Sequence, residues 1–175
     1  MTPPVQKKIC MLGTYAVGKT SLVRKYVESI FDERYLTTIG VKIDKKQVLV
    51  NDQQVNLVLW DLAGEDDLAQ IRPSHLRGAS GYILVADGCR EATLAQAIAI
   101  QEKSAQHLGP VPFVLAINKA DLAAEWQIRD ADFERLTALG WTCFRTSAKT
   151  GESVEALFLH LAQKMLSEED DPATP

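Results

Sequence analysis

Eight residues near the N-terminus have the types and spacing of a phosphate-binding loop. They read G-T-Y-A-V-G-K-T at positions 13–20, two glycines separated by four residues and followed by Lys19 and Thr20. An apolar, strand-like run precedes the loop and a run with helical spacing follows it. Backbone N–H groups and the positive end of a helix dipole would therefore point at one place. In this pattern Lys19 reaches the β- and γ-phosphates and Thr20 offers a hydroxyl to Mg²⁺. The alternative is a glycine-rich turn with an incidental Lys-Thr pair, but the flanks favour binding of a nucleoside diphosphate or triphosphate.

A second motif, D-x-x-G, runs from Asp61 to Gly64 and follows an apolar run that ends at Trp60. A carboxylate at this place can hold Mg²⁺ through a water, and Gly64 can bring its N–H close to a γ-phosphate. The pattern alone is weak, because an Asp and a Gly three residues apart are common. Its place at a strand end, downstream of the phosphate loop, makes it informative.

Two further motifs could recognise a guanine base. The first reads N-K-A-D, from Asn118 to Asp121, and the second reads S-A-K, from Ser147 to Lys149. The Asp121 carboxylate can accept hydrogen bonds from guanine N1–H and N2–H₂, whereas adenine would leave the buried carboxylate unpaired. Sites of this kind reject the wrong partner by about 10⁴-fold. The Ala148 N–H can bond the guanine O6. Either motif alone can be a polar turn, but their joint occurrence in this order favours guanine.

Positioning these motifs requires a sheet that gathers its strand ends at one edge. Strand-like and helix-like runs alternate along the chain without an internal repeat or a linker. The predicted strands are 8–12, 41–50, 54–60, 81–86, 111–117 and 142–145. The predicted helices are 21–27, 91–108, 130–139 and 152–166, with a short one around 66–71. We expect 41–60 to form a hairpin and the other strands to be parallel, which gives an α/β fold with a six-stranded, mostly parallel sheet and helices on both faces. Ligands of such sheets lie beyond the carboxyl ends of the strands, where all four motifs fall.

Composition narrows the class of protein. The 175 residues fit one domain, predicted as 1–166, and 46% are hydrophobic and 24% charged, as in ordinary globular proteins. The net charge of −4 argues against nucleic acid as a partner. Cys10, Cys89 and Cys143 lack metal-ligand spacing, and we expect Cys10 and Cys143 to be buried in a protein of the reducing cytoplasm. The three histidines are scattered along the sequence, and we assign them no chemical role.

The chain ends suggest no direct lipid anchor. No apolar stretch is long enough to span a membrane, and the N-terminus lacks the layout of a signal peptide. Thr2 stands where myristoylation needs glycine. The acidic, proline-containing segment 167–175 has no cysteine, so we expect it to be disordered and not prenylated as it stands.

Together these residues resemble the Ras superfamily of small GTPases, over roughly 7–166. The segments W-D-L-A-G at 60–64, T-I-G-V at 38–41 and T-S-A-K-T-G at 146–151 are similar to the Rab branch. The resemblance implies a P-loop NTPase fold, the small G domain. It also implies that Thr38 meets Mg²⁺ and the γ-phosphate, that Phe31 packs against the guanine and that Tyr35 closes over the phosphates. Ordinary core packing is the alternative for the two aromatic residues.

The predicted site can be stated as three sets of residues. The predicted nucleotide contacts are Gly13, Tyr15, Ala16, Val17, Gly18, Lys19, Thr20, Ser21, Phe31, Tyr35, Thr38, Gly64, Asn118, Lys119, Asp121, Ser147, Ala148 and Lys149. The predicted Mg²⁺ ligands are Thr20, Thr38 and Asp61, and the predicted catalytic residues are Lys19, Thr38, Gly64 and Glu65. The cofactors would be GTP or GDP with Mg²⁺, and effectors, exchange factors or activating proteins would bind the loops 30–41 and 61–78.

Three features depart from the family pattern. Glu65 stands where the family usually has a glutamine that orients the attacking water. A carboxylate donates no hydrogen bond at neutral pH and its charge faces a negative phosphate. Tyr15 stands at a position that is commonly glycine, where its phenol either crowds the water and an incoming arginine or points to solvent. The lipid-bearing cysteine is missing, which leaves a soluble protein, one recruited by a partner, or a piece of a longer chain.

These departures leave the activity open between two hypotheses. The first is a switch that hydrolyses GTP slowly, by attack of water on the γ-phosphate. The second is a GTP-loaded binding or scaffold module with negligible turnover, in which Tyr15 and Glu65 preserve the GTP state. An adenine-nucleotide enzyme on the same fold is disfavoured by the N-K-A-D motif at 118–121.

Overall fold

The computed structural model describes residues 3–28, 41–62 and 72–169, and the statements below concern those residues. The strands are β1 (Val5–Leu12), β2 (Val41–Val50), β3 (Gln53–Leu62), β4 (Gly81–Asp87), β5 (Phe113–Asn118) and β6 (Cys143–Arg145). The helices are α1 (Lys19–Glu28), α2 (Pro73–Leu76), α3 (Ala92–Leu108), α4 (Asp130–Ala138) and α5 (Val154–Glu169), with a 3₁₀ turn at Ala123–Glu125. None of these described helices is both long and apolar enough to cross a membrane.

The strands form one sheet in the order β2-β3-β1-β4-β5-β6. β2 and β3 make an antiparallel hairpin, whose turn residues Asn51 and Asp52 have φ angles of 50° and 65°. Asn and Asp adopt this left-handed conformation more readily than other non-glycine residues. Every other neighbouring pair is parallel, and parallel neighbours need crossover connections. The predicted hairpin and the six-stranded, mostly parallel sheet are confirmed.

The core lies on both faces of this sheet. Successive residues of a strand point to opposite faces, so Ile9 and Met11 join one hydrophobic cluster while Cys10 and Leu12 join the other. α1 and α5 cover the first face, and α3 and α4 cover the second. β4, which reads as a continuous apolar run, is buried at every residue. The central strands are thus covered on both faces, so a ligand would meet them at their ends.

Element bounds differ from the prediction in a few places. β3 extends to Leu62, because Asp61 still pairs with Met11 on one side and Lys42 on the other; the prediction that Asp61 follows the strand is corrected. β5 begins after Pro112, which was expected to lie outside the ladder. α5 continues to 169, three residues into the segment that we expected to be disordered. The predicted helix at 66–71 and the end of the chain from 170 lie outside the described residues.

The three cysteines are free thiols. Cys10 is fully buried and Cys143 is half-buried, so the prediction of burial is met completely only by Cys10. Burial raises the pKa of Cys10 to about 11, against a small opposing effect of Lys8, and burial alone raises the pKa of Cys143 to about 11. Both thiols are therefore neutral at pH 7 and pack as small apolar groups.

Candidate functional site

The loop between β1 and α1 follows a path that excludes side chains at both of its glycines. A Cβ atom at Gly13 would lie 2.5 Å from the Val85 carbonyl oxygen, and one at Gly18 would lie 2.3 Å from the Asn118 Nδ2. Gly18 also has a φ of +103°, a conformation that side chains disfavour. The glycines therefore let the loop pack directly against β4 and against the side chain that ends β5.

Lys19 places a positive charge against this loop. Its side chain is buried, and its Nζ donates hydrogen bonds to the carbonyl oxygens of Gly13 at 3.0 Å and Thr14 at 3.1 Å. The lysine thus turns back from the first residue of α1 to the start of the loop. A buried cation beside a helix N-terminus is an arrangement that suits phosphate oxygens.

Two hard oxygen donors meet beside the first turn of α1. The Thr20 hydroxyl donates to the Asp61 Oδ2 at 2.5 Å, and Asp61 is fully buried. A hydroxyl and a carboxylate are ligands that Mg²⁺ accepts in nucleotide sites. The structure thus brings together two of the three predicted metal ligands. The third, Thr38, lies outside the described residues, as do Phe31, Tyr35, Gly64 and Glu65.

Asn118 joins the phosphate loop to the segment after β6. Its Nδ2 donates to the Val17 carbonyl at 3.2 Å. Its Oδ1 accepts from the Thr146 hydroxyl at 3.2 Å and from the Ala148 N–H at 3.3 Å. Asn118 was predicted as a nucleotide contact, and the structure gives it a bridging role between protein segments. It fixes the distance between the phosphate loop and the predicted base site.

Asp121 is held by the neighbouring S-A-K segment. The Ser147 hydroxyl donates to the Asp121 Oδ1 at 2.7 Å, and the same oxygen of Ser147 accepts the Thr150 N–H at 3.1 Å. Because the Thr150 N–H occupies a lone pair of the Ser147 hydroxyl oxygen, the hydroxyl proton is directed at the Asp121 carboxylate. Asp121 is exposed, which corrects the prediction of a buried carboxylate; a base that bonded to it would itself cover it. Lys149 is exposed beside it, whereas Ala148 is buried.

A buried carboxylate that the sequence analysis did not single out lies between these loops. Asp87, the last residue of β4, contacts the Lys119 Nζ at 2.8 Å and the Arg90 Nε at 2.9 Å, both through Oδ2. Burial raises the pKa of Asp87, but hydrogen bonds from Lys119, the Cys89 N–H and Arg90 outweigh this effect and hold its pKa below the usual value. The sequence carried a signal for this residue, because Asp87 directly follows the apolar run at 81–86.

Tyr15 lies at the surface of the phosphate loop. The residue is 43% exposed, which favours the solvent-facing alternative for its phenol. Ala16, next to it, has a φ of 63° and contributes its carbonyl to a hydrogen bond from the Lys119 Nζ at 3.0 Å. The phosphate-loop residues predicted as nucleotide contacts, at 13 and 15–21, thus lie in space beside the residues that end β4 and β5.

Gly88, directly after β4, packs closely against Trp126. Substituting it offers a test of how this packing contributes to stability. A Cβ atom here would lie 2.0 Å from Cζ3 of the Trp126 ring, whose other neighbours include the Arg145 guanidinium at 4.8 Å. The Gly88 N–H also donates to the Asn118 carbonyl at 2.9 Å. We expect Gly88→Ala to lower the free energy of unfolding by about 1–3 kcal/mol, the usual cost of overpacking, as measured by urea denaturation.

The matched control for Gly88→Ala is the same substitution in a Trp126→Ala background. There the added methyl group enters space that the indole has left, so its cost should largely disappear and the two changes should be strongly non-additive. Equal costs in both backgrounds would contradict the packing explanation.

Known proteins are similar to this chain over most of its length. A sequence model of the Ras family matches residues 8–167. The Ras-related protein Rab-5A of Dictyostelium discoideum is 34% identical over 172 residues, which cover 97% of this chain and 83% of that protein. The human Ras-related protein Rab-30 is 35% identical, with 92% and 80% covered, and the mouse Ras-related protein Rab-21 is 31% identical, with 91% and 72% covered. The chain therefore belongs to the Ras family of small GTPases, as a GTP-binding switch protein related to the Rab proteins.

Proposed function

We propose that the chain binds GTP and GDP with Mg²⁺ and hydrolyses GTP slowly to GDP and phosphate. The observation that supports this best is the set of bonds made by Asn118. One side chain bonds the Val17 carbonyl of the phosphate loop and the Ala148 N–H of the base segment. A ligand that contacted both segments would span a separation fixed by Asn118, which suits the base and phosphates of a guanine nucleotide.

Different residues would bind the base, the phosphates and the metal ion. Asp121, oriented by Ser147, would accept hydrogen bonds from the guanine. The Ala148 N–H, which donates to the Asn118 Oδ1 in this structure, would share that bond with the guanine O6. The loop N–H groups and Lys19 would hold the phosphates, where the charge of the lysine stabilises the negative charge that moves during transfer. Thr20 and Asp61, already in contact, would hold Mg²⁺, which when bound supplies charge neutralisation at the phosphate oxygens.

Hydrolysis would be an in-line attack of water on the γ-phosphorus, in which the bond to the β–γ bridging oxygen breaks and GDP leaves. Loss of the γ-phosphate would release Thr38 and Gly64 and change the loops 30–41 and 61–78. Effectors, exchange factors or activating proteins would bind those loops. The free thiols agree with a place in the reducing cytoplasm.

The test is a binding and turnover experiment on the whole chain. Fluorescent GTP, GDP and ATP analogues are loaded by exchange, and phosphate release from bound GTP is followed over hours in single-turnover conditions with Mg²⁺. Selective binding of GTP and GDP with measurable phosphate release supports the proposal. Binding without release, alone and with an activating protein, points instead to the GTP-loaded module, and equal binding of ATP contradicts the assignment of the base site.

Two substitutions should raise the rate of that release. Family members with glutamine at position 65 hydrolyse GTP unaided on the order of 10⁻⁴ s⁻¹, and we expect this chain at or below that value. Glu65→Gln restores an amide donor, so it should raise the intrinsic rate. Because Tyr15 is exposed, Tyr15→Gly should act mainly by admitting a partner that supplies an arginine. The full acceleration of hydrolysis by such a partner is about 10⁵-fold, or roughly 7 kcal/mol of transition-state stabilisation.

Single-turnover phosphate release from the parent, the two single variants and the double variant, each alone and with an activating protein, measures both effects. Glu65→Ala is the control, since it removes the negative charge without adding a donor. Glu102→Gln controls for loss of charge at an exposed position in the middle of α3. Effects of Tyr15→Gly and Glu65→Gln should be non-additive if both residues face the same phosphate. A parent that already hydrolyses GTP rapidly, or two substitutions without effect, would contradict the prediction.

A further inference from the structure

An arginine outside every predicted motif reaches into the phosphate loop. Arg90 lies between β4 and α3, and its Nη2 donates to the Tyr15 carbonyl at 2.9 Å. Its Nε donates to the Asp87 Oδ2 at 2.9 Å. The guanidinium can make both bonds at once because its donors form a rigid planar fork. Tyr15 and Arg90 are separated by 75 residues, so the contact is a tertiary clamp on the loop.

The carboxylate that supports this clamp is itself firmly placed. Asp87 is 2% exposed, and its Oδ1 accepts the Cys89 N–H at 2.9 Å. Its Oδ2 is shared by Arg90 and Lys119, and Lys119 bonds the Ala16 carbonyl at 3.0 Å. Two cations that share one buried carboxylate thus hold two consecutive carbonyl groups of the phosphate loop.

The direction of these bonds determines where the loop's N–H groups point. Every described peptide bond is trans, and in a trans peptide the C=O and the following N–H lie on opposite sides. With the Tyr15 carbonyl held by Arg90, the Ala16 N–H must point away from Arg90. With the Ala16 carbonyl held by Lys119, the Val17 N–H is fixed in the same way.

We propose that Arg90 is a positioning residue for the bound nucleotide, which keeps the phosphate loop's N–H groups aimed at the phosphates and so lengthens the lifetime of the complex. The inference rests on the proposed binding of guanine nucleotide by this loop. Arg90 does not need to touch the nucleotide, because it acts through the Tyr15 carbonyl. It should therefore change the rate of nucleotide release without changing which base is preferred.

The test is dissociation of mant-GDP from the whole chain, chased with excess GDP in the presence of Mg²⁺. We expect Arg90→Ala to release mant-GDP roughly tenfold faster, equivalent to about 1.4 kcal/mol. Arg90→Lys keeps the charge without the fork, so its rate should fall between those of the parent and Arg90→Ala. The preference for GDP over the xanthine analogue should be unchanged in both. Hydrogen exchange of the GDP-bound proteins should rise in 13–18 and not throughout the chain.

Arg135→Ala is the matched control, because Arg135 also pairs with an aspartate three residues away and is similarly exposed, 59% against 46% for the Arg90 side chain. Both variants should fold: Arg135 belongs to an exposed ion pair, which adds little stability, and without Arg90 the buried Asp87 keeps Lys119 and the Cys89 N–H as partners. An Arg90→Ala rate within twofold of the Arg135→Ala rate, in a parent that binds mant-GDP, overturns this inference alone. A uniform rise in hydrogen exchange also overturns it, since that is general destabilisation. If the parent retains no mant-GDP, the proposed function fails and the inference falls with it.

Discussion

Asp121→Asn should convert a guanine-selective site into one that prefers xanthine. The amide oxygen can still accept the base N1–H, but the NH₂ group now meets the guanine N2–H₂ as donor against donor. Xanthine carries a carbonyl at that position, which the amide can bond. We expect GTP affinity to fall on the order of 10²-fold, about 2.7 kcal/mol, as for the loss of a hydrogen bond to a charged group, while affinity for XTP rises.

The surroundings of Asp121 favour one orientation of the new amide. The Ser147 proton is directed at the Oδ1 position, because the Thr150 N–H occupies a lone pair of the hydroxyl oxygen. The amide oxygen should take that position and leave the NH₂ group in place of Oδ2. Titration with mant-GTP and mant-XTP measures the switch. Asp52→Asn, in the β2–β3 turn, is the control for loss of charge. An Asp121→Asn protein that binds GTP as tightly as the parent would show that this loop does not read the base.

The sequence was sufficient to predict most of the fold because its strands carry clear boundaries. β4 reads as an unbroken apolar run and is buried throughout, and the hairpin expected at 41–60 is present. The position at which β3 ends was harder to predict from the sequence. Asp61 looks like the first loop residue, but neighbours on both sides keep it in the ladder. A polar side chain at the end of a central strand cannot be distinguished from a loop residue without knowing its partners.

The site was predictable where a motif carries its own spacing, and unpredictable where the contact is tertiary. The placement of Lys19, Thr20 and Asp61 follows from motifs at strand ends, and the structure brings Thr20 and Asp61 into contact. The bond from Arg90 to the Tyr15 carbonyl joins two segments that share no motif. Nor does a sequence reveal that Asn118 uses its amide to join protein segments, because the same residue type suits a ligand contact equally well.

Lys19→Ala should cause the largest loss of nucleotide affinity of any single change to the phosphate loop. The ammonium is bonded to the Gly13 and Thr14 carbonyls at the start of the loop, and the residue is only 6% exposed. In such a buried place a charged hydrogen bond is stronger than in water, and its removal leaves phosphate charge unneutralised. We expect GTP and GDP affinities to fall by about 10²- to 10³-fold, or roughly 2.7–4 kcal/mol, in equilibrium titrations with mant-nucleotides.

Mg²⁺ dependence separates this loss from a loss at the metal site. Lys19 acts on phosphate oxygens directly, so Lys19→Ala should weaken binding both with Mg²⁺ and with EDTA. Thr20 contacts Asp61 at the predicted metal position, so Thr20→Asn should weaken binding mainly when Mg²⁺ is present, and more for GTP than for GDP. Lys45→Ala, on the exposed side of β2, controls for net charge. Unchanged GTP affinity in Lys19→Ala would remove the phosphate-loop assignment, whereas equal losses for Thr20→Asn with Mg²⁺ and EDTA would remove only the metal assignment.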